Sequence, residues 1–91
     1  MTVEELLSDR TRWCQHSCAR DKDGNECPAE SPEAVCWCIY GAVHKLYSTV
    51  DIVILKLKAA AMRLGHRPEL SLVNDREGYD AVMSIVREAG I

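Results

Sequence analysis

Cysteine and histidine are the side chains of this chain with the most chemistry to offer. Five cysteines stand at 14, 18, 27, 36 and 38, and three histidines at 16, 44 and 66. Cys14 and Cys18 are one helical turn apart, and with His16 and Cys27 they make a candidate tetrahedral zinc set. The spacing lacks the repeated C-x-x-C knuckles of a structural zinc module, and no H-x-x-x-H pair accompanies it. The expectation is therefore unligated thiols and no cofactor, with that four-residue metal set as the alternative. A cysteine nucleophile fares worse. On a helix over Pro32–Tyr47, Cys36 and Cys38 diverge by about 200°. Cys38 and His44 differ by about 120° and by roughly 9 Å along the axis, beyond hydrogen-bond reach. No catalytic residue is assigned, and the chain is not expected to be an enzyme.

Two further groups are candidates for recognition. Gln15, Arg20, Asp21, Asn74 and Asp75 form a polar set that either lines a ligand cleft or satisfies buried amides in a long loop, the second being expected. Asp21 should accept hydrogen bonds from loop amides near Gly24, while Arg20 should lie against Trp37. Trp37, Tyr40, His44 and Tyr47 form the other set. They either cover neighbouring helices or present an interface to a protein partner or a second copy.

The elements that must position these residues are read from periodicity and caps. Thr2 and Glu5 have capping-box spacing, with Val3, Leu6 and Leu7 on one face, so a first helix is expected from Val3 to about Trp13. Residues 19–31 read as one ordered loop, with turn chemistry in Asp21-Lys22-Asp23-Gly24-Asn25. Ser31-Pro32-Glu33 then opens the expected central helix, Pro32–Tyr47, with Val35, Cys38, Ile39, Ala42, Val43 and Leu46 as its apolar stripe. Thr49–Leu64 is β-branched at its start but runs unbroken into Ala59-Ala60-Ala61-Met62, so helix is preferred. Pro68–Val73 reads as an extended connector. Asn74 and Asp75 are placed to cap a last helix whose face is Tyr79, Val82, Met83 and Val86. The sum is an all-α fold of about four helices with one long loop between the first two.

Length and composition limit what such a chain can be. Ninety-one residues support one domain, 1–91, because a second core would leave each half too small to fold unaided. Hydrophobic residues at 47% and charged ones at 27% place it among globular rather than disordered chains. A net charge of −3 argues against a general nucleic-acid binder. No apolar run approaches the roughly 20 residues of a membrane span, and no leader is visible, so a cytoplasmic location is expected.

Several spaced residues also carry a resemblance. Trp13-Cys14-Gln15, Ala19-Arg20-Asp21 with Gly24, then Pro32, Ala34-Val35, Trp37-Cys38, Gly41-Ala42 and a late Asn74-Asp75 are present. Together they resemble the DUF6197 type, a small bacterial and phage family of unknown function. Its pattern reads W-x-Q-G-x-x-A-R-D-x-x-G, a loop, P-x-A-V-x-W-C-x-x-G-A, and N-D before a closing helix. This chain has His16 where that pattern carries glycine, and of its five cysteines only Cys38 belongs to the pattern. The resemblance implies no activity. The expected function is a non-enzymatic protein-interaction module of bacterial or phage origin. A minor alternative is an acidic phage-encoded inhibitor of a nucleic-acid-binding partner.

Overall fold

The computed structural model describes residues 1–91. It contains five helices and a two-stranded antiparallel sheet, so the fold is mixed α/β and the all-α expectation is corrected. The strands are β1 (Ala19–Arg20) and β2 (Cys36–Trp37), and the helices are α1 (Val3–Leu7), α2 (Ile39–Leu46), α3 (Val50–Arg63), α4 (Leu70–Leu72) and α5 (Tyr79–Ala89).

The capping box of Thr2 and Glu5 is formed as its spacing requires. The first helix is nevertheless short. It ends at Leu7, because the Asp9 side chain caps a separate 3₁₀ turn, Arg10–Arg12. The Arg12 guanidinium then folds back onto the Leu6 and Glu5 carbonyls at 2.6 and 2.9 Å, supplying partners that a continuing helix would have given.

The larger correction lies between 32 and 38. Ser31, Pro32 and Glu33 carry a helix-start signal, yet they make a single turn: the Glu33 amide donates to the Ser31 hydroxyl and the Ala34 amide to the Ser31 carbonyl. Val35 to Trp37 then run extended, and Ala19 faces Trp37 while Arg20 faces Cys36. Helix in this stretch would have left the loop's own amides without partners. Pairing satisfies both segments at once. The real start of α2 is Cys38, whose sulfur accepts the Gly41 amide at 3.3 Å.

Trp13 adds a third, parallel strand-like contact to Trp37, with the Cys14 amide donating to the Trp37 carbonyl at 3.1 Å. Trp37 is thereby buried, and its indole N–H donates to the Ala29 carbonyl at 2.9 Å, tying the distal loop to the core. Gly41 is the contact point between this layer and α2. A Cβ there would lie 1.8 Å from the Cys18 carbonyl oxygen, so only glycine lets the two backbones meet.

The remaining core is helical. Ile39, Ala42 and Val43 of α2, Leu57, Ala60 and Ala61 of α3, and Val82, Met83, Ile85 and Val86 of α5 pack with Val3 and Leu7. The helix expected over Thr49–Leu64 is present. The segment expected to be extended, 68–73, instead starts α4 and widens into a π-type turn, Val73–Glu77. Gly78, at φ 95°, breaks that turn from α5. The start of α5 has no side-chain cap, so Asn74 and Asp75 do not cap it.

Candidate functional site

An open cleft of about 490 Å³ lies between the 16–18 segment, the first turns of α2, and the π-type turn. His16, Ser17 and Cys18 form one wall, and Cys38, Tyr40 and His44 another, with Ser71, Asn74 and Asp75 closing it.

Asn74 organises this place. It is almost wholly buried, and its side chain makes four hydrogen bonds, all that an amide of this kind readily supports. Its Oδ1 accepts from the Trp13 indole at 2.8 Å and from the Ile39 amide at 3.1 Å. Its Nδ2 donates to the Cys14 carbonyl and to Asp75 Oδ1, both at 3.0 Å. Three segments far apart in sequence are joined through one side chain. The π-type turn explains why this residue is available, since a wider turn turns it inward rather than along a helix surface.

Asp75 continues the same seam. Its Oδ1 accepts the His16 amide at 2.9 Å, and its Oδ2 lies 3.5 Å from His16 Nδ1. Gln15 donates to the backbone carbonyls of Asn74 and Asp75 at 3.1 and 3.2 Å. Burial works to raise the Asp75 pKa, but the His16 amide, the Asn74 amide and the His16 charge outweigh it, leaving the carboxyl below its ordinary range. His16 is held at φ 64°, a left-handed conformation that favours glycine.

The five residues of the polar set therefore separate into two groups. Gln15, Asn74 and Asp75 meet beneath the cleft. Arg20 and Asp21 belong to the loop. Asp21 accepts the Asp23 and Asn25 amides at 2.9 and 3.0 Å, the turn geometry expected of it. Arg20 does not stack on Trp37. It donates to the Gly24 carbonyl at 3.0 Å and the Gln15 carbonyl at 3.3 Å, and the cation over the Trp37 ring is Lys45, 5.1 Å from its centroid. Arg20 is drawn away because two loop carbonyls need donors and Lys45 reaches the ring from the adjacent helix.

The aromatic set also divides. Trp37 is buried, Tyr40 and Tyr47 are half-buried, and of the four only Tyr40 and His44 line the cleft. His44 is exposed. The convergence of Cys18, Cys38 and His44 at one cleft was invisible in sequence, because it depends on Cys38 ending a strand rather than sitting inside a helix.

Cys38 in this cleft and Cys14 near it are poor nucleophiles. Burial, together with the neighbouring Cys36 and Cys38, pushes the Cys14 thiol up to about 12 against the pull of Arg20. Burial pushes Cys38 up to about 11, even though the Gly41 and Tyr40 amides of the helix start favour its thiolate. Both stay protonated near neutral pH. Of the candidate metal set, His16 and Cys18 reach the cleft, Cys14 lies below it, and Cys27 lies in the distal loop. No three histidine, cysteine or carboxylate side chains are placed to hold one ion. No helix is long and apolar enough to cross a membrane.

Comparison with known proteins adds one finding. No curated protein and no solved structure matches the chain. Trp13, Gln15, Asn74 and Asp75, which are joined by hydrogen bonds beside the cleft, are among the residues that carry the resemblance. A family model matches residues 2–90, and the chain belongs to DUF6197, a family of unknown function.

Proposed function

We propose that this protein is a non-enzymatic protein-interaction module of the cytoplasm, of bacterial or phage origin, and that α3 is its docking face. One observation carries the reading. Ile52, Leu55 and Met62 recur at helical spacing on the outer side of α3 and are 58%, 66% and 62% exposed. The inner side of the same helix, Val53, Leu57, Ala60 and Ala61, is already buried in the core. A small chain that leaves three of its large apolar side chains in a row in water carries a surface that gains from being covered.

The border of this stripe indicates what covers it. Lys56 and Lys58 flank it on opposite sides, each about 40° beyond its nearer edge, and neither forms an ion pair within the chain. Pairing the outer face of α3 antiparallel with a second copy of itself, about a two-fold axis level with the middle of the stripe, would bring like lysines together. An amphipathic helix with acidic flanks meets the stripe without that repulsion. The five free thiols favour a reducing compartment.

Affinity capture with the wild-type chain, compared with Leu55→Asp and Met62→Asp, tests this reading. Both positions are exposed, so each variant should melt within a few degrees of wild type. The expected result is one stoichiometric protein partner, released by salt, retained by wild type and lost from both variants. Equal capture by all three chains, or a stripe that only pairs copies of this chain in sedimentation, overturns it.

A further inference from the structure

Docking on α3 leaves the cleft between the 16–18 segment and the start of α2 unused. Asp75 is the only carboxylate lining it, and no lysine or arginine does. The two oxygens of that carboxylate are not equivalent. Oδ1 is filled, accepting the His16 amide at 2.9 Å and the Asn74 side-chain amide at 3.0 Å. Oδ2 accepts no hydrogen bond. His16 Nδ1 lies 3.5 Å from it, on a side chain that is 70% exposed, and the Asp75 side chain is itself 25% exposed. An anionic oxygen with spare lone pairs thus faces a cavity of about 490 Å³, within the roughly 300–1,000 Å³ range of small-ligand sites.

This carboxylate is also held in place. Asn74 beside it is bonded to Trp13, Cys14 and Ile39, and Gln15 ties down the Asn74 and Asp75 carbonyls. Such support keeps an acceptor aimed without reorganisation when a ligand arrives. Two costly backbone states meet at the same place, His16 at φ 64° and the π-type turn Val73–Glu77. Both kinds of irregularity recur at ligand sites.

We infer that the cleft binds a primary ammonium group carried on a short apolar body, with the charge placed on Asp75 Oδ2. Binding here is independent of docking on α3. A guanidinium is the poorer match, because its fork pairs with both oxygens of a carboxylate and Oδ1 is already taken. An ammonium needs one strong acceptor and gives its other protons to hydroxyls or water. Tyr40 and Ser71 bring hydroxyls to the same cleft, and neither hydroxyl is bonded within the chain. An anionic ligand would meet Asp75, which its lowered pKa keeps ionised at neutral pH, with no fixed cation to offset the repulsion. Free alkylamines and the lysine side chains of peptides share the required chemistry.

The experiment titrates the full, nitrogen-15-labelled chain with pentylamine and, separately, with Nα-acetyl-lysine amide. The expected result is saturable amide shifts confined to residues 16–18, 38–44 and 71–75, at probe concentrations on the order of millimolar. Tighter binding of the lysine amide assigns the ammonium to a peptide, and tighter binding of pentylamine assigns it to a free amine. The arginine analogue and the lysine amide acetylated on its side-chain nitrogen should bind about ten-fold more weakly or worse. Asp75→Asn should weaken binding by a similar factor. Ser71→Arg brings a competing cation into the cleft from an exposed position, so it should lose binding while melting like wild type, and it decides the matter even if Asp75→Asn does not fold. Leu55→Asp should bind both amines as wild type does, which separates this site from the stripe on α3. Equal binding of the neutral acetylated lysine or of the arginine analogue overturns the inference. So do shifts centred outside the cleft, or no shifts at about 50 mM of either amine.

Discussion

The two halves of this molecule are held by different physics. Between Trp13 and Cys38 order comes from polar groups meeting their partners and from one close backbone approach. In α3 and α5 it comes from apolar side chains repeated at helical spacing. The first half has few buried apolar groups: Ala19, Ala29 and Trp37 are its contribution to the core, apart from Cys38. Its residues would each cost about 1–2 kcal/mol to order, so unpaired amides there could not be tolerated. The helical half buries Val53, Leu57, Val82, Ile85 and Val86 and needs no such network. A long loop can thus be as well determined as a helix when side chains such as Asn74 and Asp21 do the work of a repeating ladder.

The sharpest way to break this contrast is Gly41→Ala, which places a methyl against the Cys18 carbonyl at the seam between the halves. Separating those backbones should cost on the order of 4 kcal/mol or more, read as a large fall in denaturation midpoint. A midpoint near wild type would mean the seam is soft.

Next come two substitutions of similar size but different cause. Leu57→Ala removes fully buried apolar volume and should cost about 3 kcal/mol. Asn74→Ala leaves the Trp13 indole, the Ile39 amide and the Cys14 carbonyl unpaired, and should cost about 2–3 kcal/mol. Hydrogen exchange separates them. Leu57→Ala should loosen α3 and α5 first, and Asn74→Ala the 13–18 segment and the start of α2. Identical exchange patterns would show one cooperative body without two kinds of order.

Asp21→Ala is expected to be milder, about 1 kcal/mol, because its turn amides are near solvent and water replaces part of what is lost. A change confined to exchange within residues 20–27 would support the contrast, and a global collapse would not.

Acid should act on the polar half through Asp75. Its folded pKa lies below the unfolded value of 3.8, so its contribution is complete above that value and fades as pH falls through the folded pKa. Stability measured from pH 6 downward should therefore decline below about pH 4, and Asp75→Asn should flatten that part of the profile.

The smallest effect is expected at His16. Glycine accepts φ 64° without the clash of a Cβ, yet it also frees the unfolded chain, so His16→Gly should change stability by about 0.5 kcal/mol, in the stabilising direction. A loss of more than about 1 kcal/mol would make the His16–Asp75 contact, rather than the backbone, the reason histidine is held there.

Much of the secondary structure was legible in local chemistry. The Thr2–Glu5 box, the Asp21 turn and the unbroken apolar period of α3 each depend on residues within a few positions of one another, and all are formed. The start of α2 was not. Ser31, Pro32 and Glu33 offer helix-start chemistry, but such residues also build isolated turns, and only the distant β1 decides between the outcomes. The same holds for the Asn-Asp pair. Before a helix it reads as a cap, while in the folded chain it joins Trp13, Cys14, His16 and Ile39.

By itself, the sequence determined the family, the apolar faces of the longer helices, and the turns that short polar side chains close locally. Tertiary structure alone decided the two-stranded sheet and the cleft with Cys18, Cys38 and His44 on its walls. The physical reason is range. Propensities and caps act within about one turn of chain, whereas those features depend on residues up to about sixty positions apart whose hydrogen bonds exist only after the chain has folded.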